Sequence, residues 1–271
     1  MALKAVLFDL DNTLLWDERG IKEAFAATCA QAVIRYPTMD ADQLEAAVRQ
    51  IALSLYESSE VFAFADMIEI THLEALWARF DEGELPQFRT LQTFAPGYRR
   101  DAWIGGLRAV GIDDVNLGEE LAELFPAERR ARPIGYEGTY PVLDALKGKY
   151  KLLLLTNGAP DLQREKAESL PNLTSYFDHI VISGNFGEGK PAPSIFHYAM
   201  SLLDISADEG LMVGDNPLTD IKGANRVEMR NVWINHDGLR SRLDQTPTFE
   251  VVNLLELPEL IERISQSYPN L

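Results

Sequence analysis

Residues 5–14 read Ala5-Val6-Leu7-Phe8-Asp9-Leu10-Asp11-Asn12-Thr13-Leu14. The apolar run is continuous rather than alternating, the pattern of a strand covered on both faces, as in a parallel sheet under helices. It stops at Asp9, and residues two apart in an extended chain point the same way. Asp9 and Asp11 therefore face one small volume at the carboxyl end of a strand, where open α/β sheets take their ligands. Two carboxylates held close repel each other. The pair needs a cation, a shared proton, or a division of labour between a nucleophile and a general acid and base. Taken alone, it also suits a solvated turn after a strand.

Four further apolar runs end in polar residues: Leu152–Leu155, Ile180–Ile182, Leu211–Val213 and Val232–Ile234. Helical patterns separate most of them. Pro141–Lys147 precedes the second strand, and Pro160–Leu170 follows it and stops at Pro171. Pro193–Leu203 lies between the third and fourth strands, and Leu218–Asn225 between the fourth and fifth. Ser206 and Glu209 have capping-box spacing, yet Gly210 and an apolar run follow at once, so a turn is read there.

Residues 16–135 read almost entirely as helix. Leu44, Val48, Ile51 and Leu55 form one stripe, and Met67, Ile70, Leu73 and Leu76 another. A parallel crossover needs only about a dozen residues, so this stretch is an inserted domain. The expected organisation is an α/β core of parallel, Rossmann-like type over residues 1–15 and 136–271, with a helical insertion over 16–135.

Three more signals fall at strand ends. Thr156-Asn157-Gly158 closes the second strand. The Thr156 hydroxyl and the following amides could hold a phosphoryl group, with Gly158 allowing close backbone approach. A plain strand-to-helix turn uses the same residues. Lys190, in Gly187-Glu188-Gly189-Lys190-Pro191, follows the third strand and could neutralise both phosphate and carboxylates. Gly214-Asp215-Asn216-Pro217-Leu218-Thr219-Asp220 ends the fourth and adds two carboxylates. Asp9 and Asp215, with backbone or water oxygens, would make a hard-oxygen site suited to Mg²⁺.

In that order, and across the whole chain, the four stretches resemble the signature of the haloacid dehalogenase superfamily, in its phosphatase branch with a helical cap inserted after the first strand. The resemblance implies that Asp9 is the nucleophile forming an aspartyl-phosphate and that Asp11 protonates the leaving oxygen and then activates water. It makes Thr156, Asn157 and Gly158 the phosphate-holding group, with Lys190 steadying nucleophile and phosphate. Asp9, Asp11, Asp215 and Asp220 form the acidic set around Mg²⁺, with Asp220 supporting either the lysine or the metal. Family dehalogenases lack the second aspartate of the first motif. A leaving alkoxide needs a proton and a halide does not, so Asp11 favours phosphate esters. Capped relatives act on small phosphorylated metabolites, and residues 153–162 with 210–220 lean towards phosphoserine phosphatase-like chains. A phosphomutase uses the same residues, and a non-catalytic phosphate- or Mg-binding protein is the rival from another class.

Other patterns are weighed down by their context. Residues 184–190 carry the glycine and lysine spacing of a phosphate-binding loop, but Pro191 stands where a hydroxyl residue belongs. Asn172-Leu173-Thr174 is a glycosylation triplet read as chance. His72, His179, His197 and His236 show no ligand spacing, and His197 reads as a packing residue on an apolar helix. Cys29, the single cysteine, reads as a small buried hydrophobe. Trp16, Trp77, Trp103 and Trp233 read as core or domain-interface residues, with Trp16 and Trp103 also able to face a substrate. Arg99, Arg100, Arg108, Arg129, Arg130 and Arg132 read as solvated helix faces, any one of which could instead bind a substrate anion.

Composition narrows the classes. With 46% hydrophobic residues in 271 the chain can bury a sizeable core without disulfides. Its 42 acidic against 25 basic residues leave a net charge of −17, which argues against nucleic acid or an anionic membrane as partner. That field also repels phosphate esters, so local cations must reverse it at the site. With no leader-like or spanning segment read, a cytoplasmic monomer or homodimer acting on a small phosphorylated substrate is expected.

Overall fold

The computed structural model describes residues 2–236, 238 and 245–267. Two compact units emerge, one of residues 1–16, 135–157 and 163–271, the other of residues 17–134 and 158–162.

The first unit is built on a parallel sheet of strands β1 (Ala5–Phe8), β2 (Lys151–Thr156), β3 (His179–Ile182), β4 (Gly210–Gly214), β5 (Arg230–Ile234) and β6 (Phe249–Val251). Their order across the sheet is β3-β2-β1-β4-β5-β6. The continuous apolarity of these strands has the expected cause. Val6, Phe8, Leu152, Leu154, Leu211 and Val213 pack on one face, while Ala5, Leu7, Leu153, Leu155 and Met212 pack on the other. Five runs were legible as strands, and β6 was not. It has three residues at the sheet edge, with Glu250 exposed, too short for a pattern.

The second unit is helical: α1 (Asp17–Arg35), α2 (Ala41–Glu57), α3 (Phe62–Met67), α4 (His72–Ala75), α5 (Pro86–Ala109) and α6 (Val115–Arg130). Leu44 and Val48 of the first expected stripe are buried, and Ile51 and Leu55 are partly so. The stripe over Met67–Leu76 is not one helix. Glu69 takes φ 58°, and Thr71 opens a new helix through a reciprocal capping box with Glu74. Ile70 and Leu76 are buried on either side of that break, and Met67 is 49% exposed. Within α5, Gly105 and Gly106 let α2 approach, since a Cβ on Gly106 would meet the Val48 backbone nitrogen at 3.1 Å.

In the first unit, α7 (Thr139–Leu146) covers one sheet face and α8 (Pro160–Ser169) starts in the segment that clusters with the helical unit. A short α9 (Ser183–Phe186) follows β3, and α10 (Pro193–Leu203) and α11 (Lys222–Arg226) cover the other face. Finally α12 (Leu257–Ser267) joins α7 on the first face. The stretch expected as one helix over 218–225 is a wide turn, Pro217–Ile221, running into α11. Ser206 and Glu209 do close a capping box, around a single 3₁₀ turn.

Several side chains depart from expectation. His197 is exposed rather than packed. Trp103 is fully buried against Phe25 and Phe125 in the helical core and faces no substrate. Trp16 stacks on Tyr136, which stacks in turn on His236. Arg129 is no solvated residue: it is 3% exposed, bonds Asp17 and lies over Trp77. Arg99 is half-buried on the carbonyls of Ala75 and Ala78, and burial, with Arg130 nearby, lowers its pKa to about 10. Cys29 is buried, and desolvation pushes its thiol up to about 12, so it is not a nucleophile.

Candidate active site

Register assembles the site. Phe8 pairs with Leu154 on one side and with Val213 on the other. The residues that follow these, Asp9 just after β1, Leu155 and Thr156 at the end of β2, and Gly214 at the end of β4 with Asp215 just after it, therefore share one edge of the sheet. The chain reverses neighbours at β1, the switch point where α/β sheets open a crevice.

Lys190 reaches this edge from the loop after β3. Its ammonium lies 2.6 Å from Asp9 Oδ1 and 2.6 Å from Asp220 Oδ1, with the side chain 2% exposed. Burial opposes its charge, but Asp220 and Asp9 outweigh that and hold its pKa above the ordinary lysine value. The loop that carries Lys190 is pinned by Asn157. The Asn157 amide donates to the Lys190 carbonyl at 2.9 Å and accepts from the Lys190 N–H at 2.9 Å. Gly189 is required beside it, because a Cβ there would come within 2.9 Å of Asn157 Oδ1. The Asn157 side chain thus braces the lysine loop, a role the sequence did not suggest. Gly158 follows at φ 134°, a backbone conformation open to glycine, and clusters with the helical unit.

The carboxylates divide into two groups. Asp9, Asp215 and Asp220 can each offer an oxygen to a single ion, these atoms lying within 4.8 Å of one another. Asp215 is set by Thr13, whose hydroxyl donates to Asp215 Oδ1 at 3.2 Å and accepts from its N–H at 3.0 Å. Burial and the charges of Asp9 and Asp220 push the Asp215 carboxyl well above its ordinary pKa. Asp220 is raised to about 7, chiefly by burial. Its Oδ1 accepts from Lys190 and its Oδ2 from the Asn216 N–H at 3.1 Å, so both oxygens are engaged.

Asp11 stands outside that cluster. Its Oδ2 accepts from Lys166 Nζ at 2.9 Å and from Gln163 Nε2 at 3.1 Å. Gln163 Oε1 in turn accepts from the Thr156 hydroxyl at 3.2 Å. Gln163 and Lys166 were missed because they sit mid-helix in a polar stretch, Gln163-Arg164-Glu165-Lys166, where the pattern reads as solvent. Both are buried. Their one signal is i, i+3 spacing just after a strand-end motif.

The residues fit a divalent cation. Asp9, Asp11, Asp215 and Asp220 face two ammonium groups, Lys166 and Lys190, which when all are ionised leaves two negative charges in excess. Carboxylate oxygens alone, with no His or Cys in the cluster, suit Mg²⁺ or Ca²⁺ rather than a softer metal.

Comparison with known proteins shows the family to which the chain is similar. Residues 3–228 match the haloacid dehalogenase-like hydrolase family. A phosphoserine phosphatase from Thermus thermophilus is 33% identical over 94% of this chain and 98% of its own length. An N-acylneuraminate-9-phosphatase from Mus musculus is 40% identical over 97% of this chain and 95% of its own length. Among solved structures, the HAD-hydrolase YfnB from Bacillus subtilis has a TM-score of 0.66 at 19% identity, covering 96% of this chain and 99% of that one, a likeness of fold.

Proposed function

The chain belongs to the haloacid dehalogenase-like hydrolase family, and on that premise we propose that it is a Mg²⁺-dependent phosphate monoester hydrolase acting through an aspartyl-phosphate on Asp9. The observation that carries this reading is Lys190 Nζ at 2.6 Å from Asp9 Oδ1, which orients that carboxylate at the sheet edge. A buried carboxylate fixed in place beside a cation is a nucleophile positioned in advance.

Asp9 attacks phosphorus, forming the Asp9 O–P bond as the P–O bond to the leaving group breaks. Asp11 gives a proton to the departing oxygen. A water then attacks the aspartyl-phosphate, Asp11 takes its proton, and the Asp9 O–P bond breaks to release phosphate. Lys190 neutralises charge on the phosphoryl group and the Asn157 N–H orients it, with the Thr156 hydroxyl turning its hydrogen from Gln163 onto a phosphoryl oxygen when substrate binds. Asp9 and Asp215 would hold Mg²⁺, which when bound neutralises charge on the phosphoryl oxygens. Asp220, with both oxygens hydrogen-bonded, holds Lys190 in place.

Two relatives are named for phosphoserine and for N-acylneuraminate 9-phosphate, both small phosphorylated metabolites, and we take the substrate from that class. The presence of Asp11 favours an alkyl ester over a haloacid. The test is phosphate release from a panel of small esters, with Mg²⁺ or with EDTA, using Asp9→Asn as control. Release that needs both metal and Asp9 supports the reading. No Asp9-dependent release from any ester overturns it.

A further inference from the structure

A carboxylate that must first give and later take a proton at one point in space needs to be held there. Asp11 sits in a tight turn after β1, where the Leu10 carbonyl accepts from the N–H groups of Leu14 and Leu15 and the Asn12 N–H donates to the Leu15 carbonyl, so the backbone is fixed but the Asp11 carboxyl still has to be oriented by its neighbours. That restraint comes from α8. Gln163 and Lys166 are three residues apart on that helix, hence on one face, and both side chains end on the same oxygen, Asp11 Oδ2, at 3.1 and 2.9 Å.

The orientation of the Gln163 amide follows from its neighbours. Asp11 Oδ2 accepts whether or not Oδ1 carries the proton, so Gln163 Nε2 faces it, and Oε1 is left to accept from the Thr156 hydroxyl at 3.2 Å. The amide therefore joins the residue that would orient the phosphoryl group to the residue that would exchange the proton. The Lys166 side chain is 1% exposed and ends 2.9 Å from Asp11 Oδ2, so burial fixes its head group against that oxygen.

We propose that Gln163 and Lys166 are positioning residues for Asp11: they fix Oδ2 so that Oδ1 is the atom that exchanges the proton with the leaving oxygen and then with water. The proposal rests on the phosphatase reading above. It concerns where the proton-carrying group stands, and neither side chain itself touches the reacting atoms.

Leaving-group dependence separates this role from a merely structural one. An alkyl phosphate needs a proton on its departing oxygen, and 2,4-dinitrophenyl phosphate does not. The ratio kcat/KM reports the step up to formation of the aspartyl-phosphate, where the two esters differ. In Lys166→Met, and separately in Gln163→Leu, kcat/KM for the best alkyl ester is expected to fall about 100-fold, and for dinitrophenyl phosphate by no more than about fivefold. Lys166→Arg, which keeps a buried cation, is expected to recover part of the alkyl-ester rate. Turnover of the activated ester also shows that each variant is folded. If Lys166→Met does not fold, Gln163→Leu carries the same comparison.

Equal losses on both esters in folded variants, or alkyl-ester rates within about twofold of the parent, would overturn the positioning role. Absence of Asp9-dependent hydrolysis in the parent enzyme would be the different result that overturns the phosphatase reading, and this role with it.

Discussion

Lys190 and Asp9 are 181 residues apart in the chain, and their side chains meet at 2.6 Å in the interior of the sheet's carboxyl edge. The same ammonium also lies 2.6 Å from Asp220, so one cation is shared between a nucleophile candidate and a supporting carboxylate. An ammonium is compact enough to serve two oxygens at that distance, whereas a guanidinium is planar and larger.

Replacing Lys190 should therefore be severe and hard to rescue. Lys190→Met is expected to lower kcat for phosphate release about 100- to 1000-fold, the scale of losing one fixed charge-stabilising donor. Lys190→Arg is expected to remain impaired. Steady-state kinetics at saturating Mg²⁺ check both.

The excess of carboxylate over ammonium at the site predicts a stabilising response to Mg²⁺. At a free concentration about 100 times its Kd, a bound ion adds about 2.7 kcal/mol to folding stability. A thermal melt with and without Mg²⁺ should show the shift, and Asp215→Asn should abolish most of it. The same variant should melt higher than the parent in EDTA, because it removes one of the repelling charges.

Asp161 gives a pH dependence in the helical unit. Burial, reinforced by Asp81, raises its carboxyl to about 6. A raised pKa means the fold favours the protonated form. The fold is thus most favoured by this group at low pH, loses that advantage as pH climbs from the ordinary carboxylate value to about 6, and stays at the lower level above. Asp161→Asn, which keeps an acceptor for the Asp81 N–H, is expected to melt higher than the parent near neutral pH, with the difference closing towards about pH 4. A gap that stays constant with pH would contradict the assignment.

The ion pair between Asp17 at the start of α1 and Arg129 near the end of α6 is almost fully buried, with side chains 9% and 4% exposed. Asp17→Ala leaves an arginine buried without its carboxylate and should destabilise by about 3–5 kcal/mol in urea unfolding. Replacing Arg129 by Met as well should recover part of that loss, since the uncompensated charge is gone.

Much of this protein was legible in local pattern. No helix among the described residues is long and apolar enough to cross a membrane. Five of the sheet's strands are continuous apolar runs, and each motif residue stands where such a run ends: Asp9, Thr156, Asp215 and, a loop later, Lys190. Burial on both faces forces apolarity at every strand position, and a strand's end forces polarity, so both signals lie within a few residues of each other. The failures were also local. Met67–Leu76 has helical spacing, but the Thr71 cap and the turn at Glu69 divide it. Gln163 and Lys166 look like a solvated helix face and are buried.

The sequence by itself determined five of the strands and the residue types waiting at their ends, because backbone alternation and helical period are properties of near neighbours. Only the tertiary structure decided what each side chain meets. The order β3-β2-β1-β4-β5-β6 and its register bring Lys190 to Asp9 and Asp220, and Thr13 to Asp215. The fold also sets α8 beside Asp11 and turns Asn157 back onto the lysine loop. Those partners lie tens to hundreds of residues apart, and their meeting depends on strand order and register, which no single stretch of chain encodes.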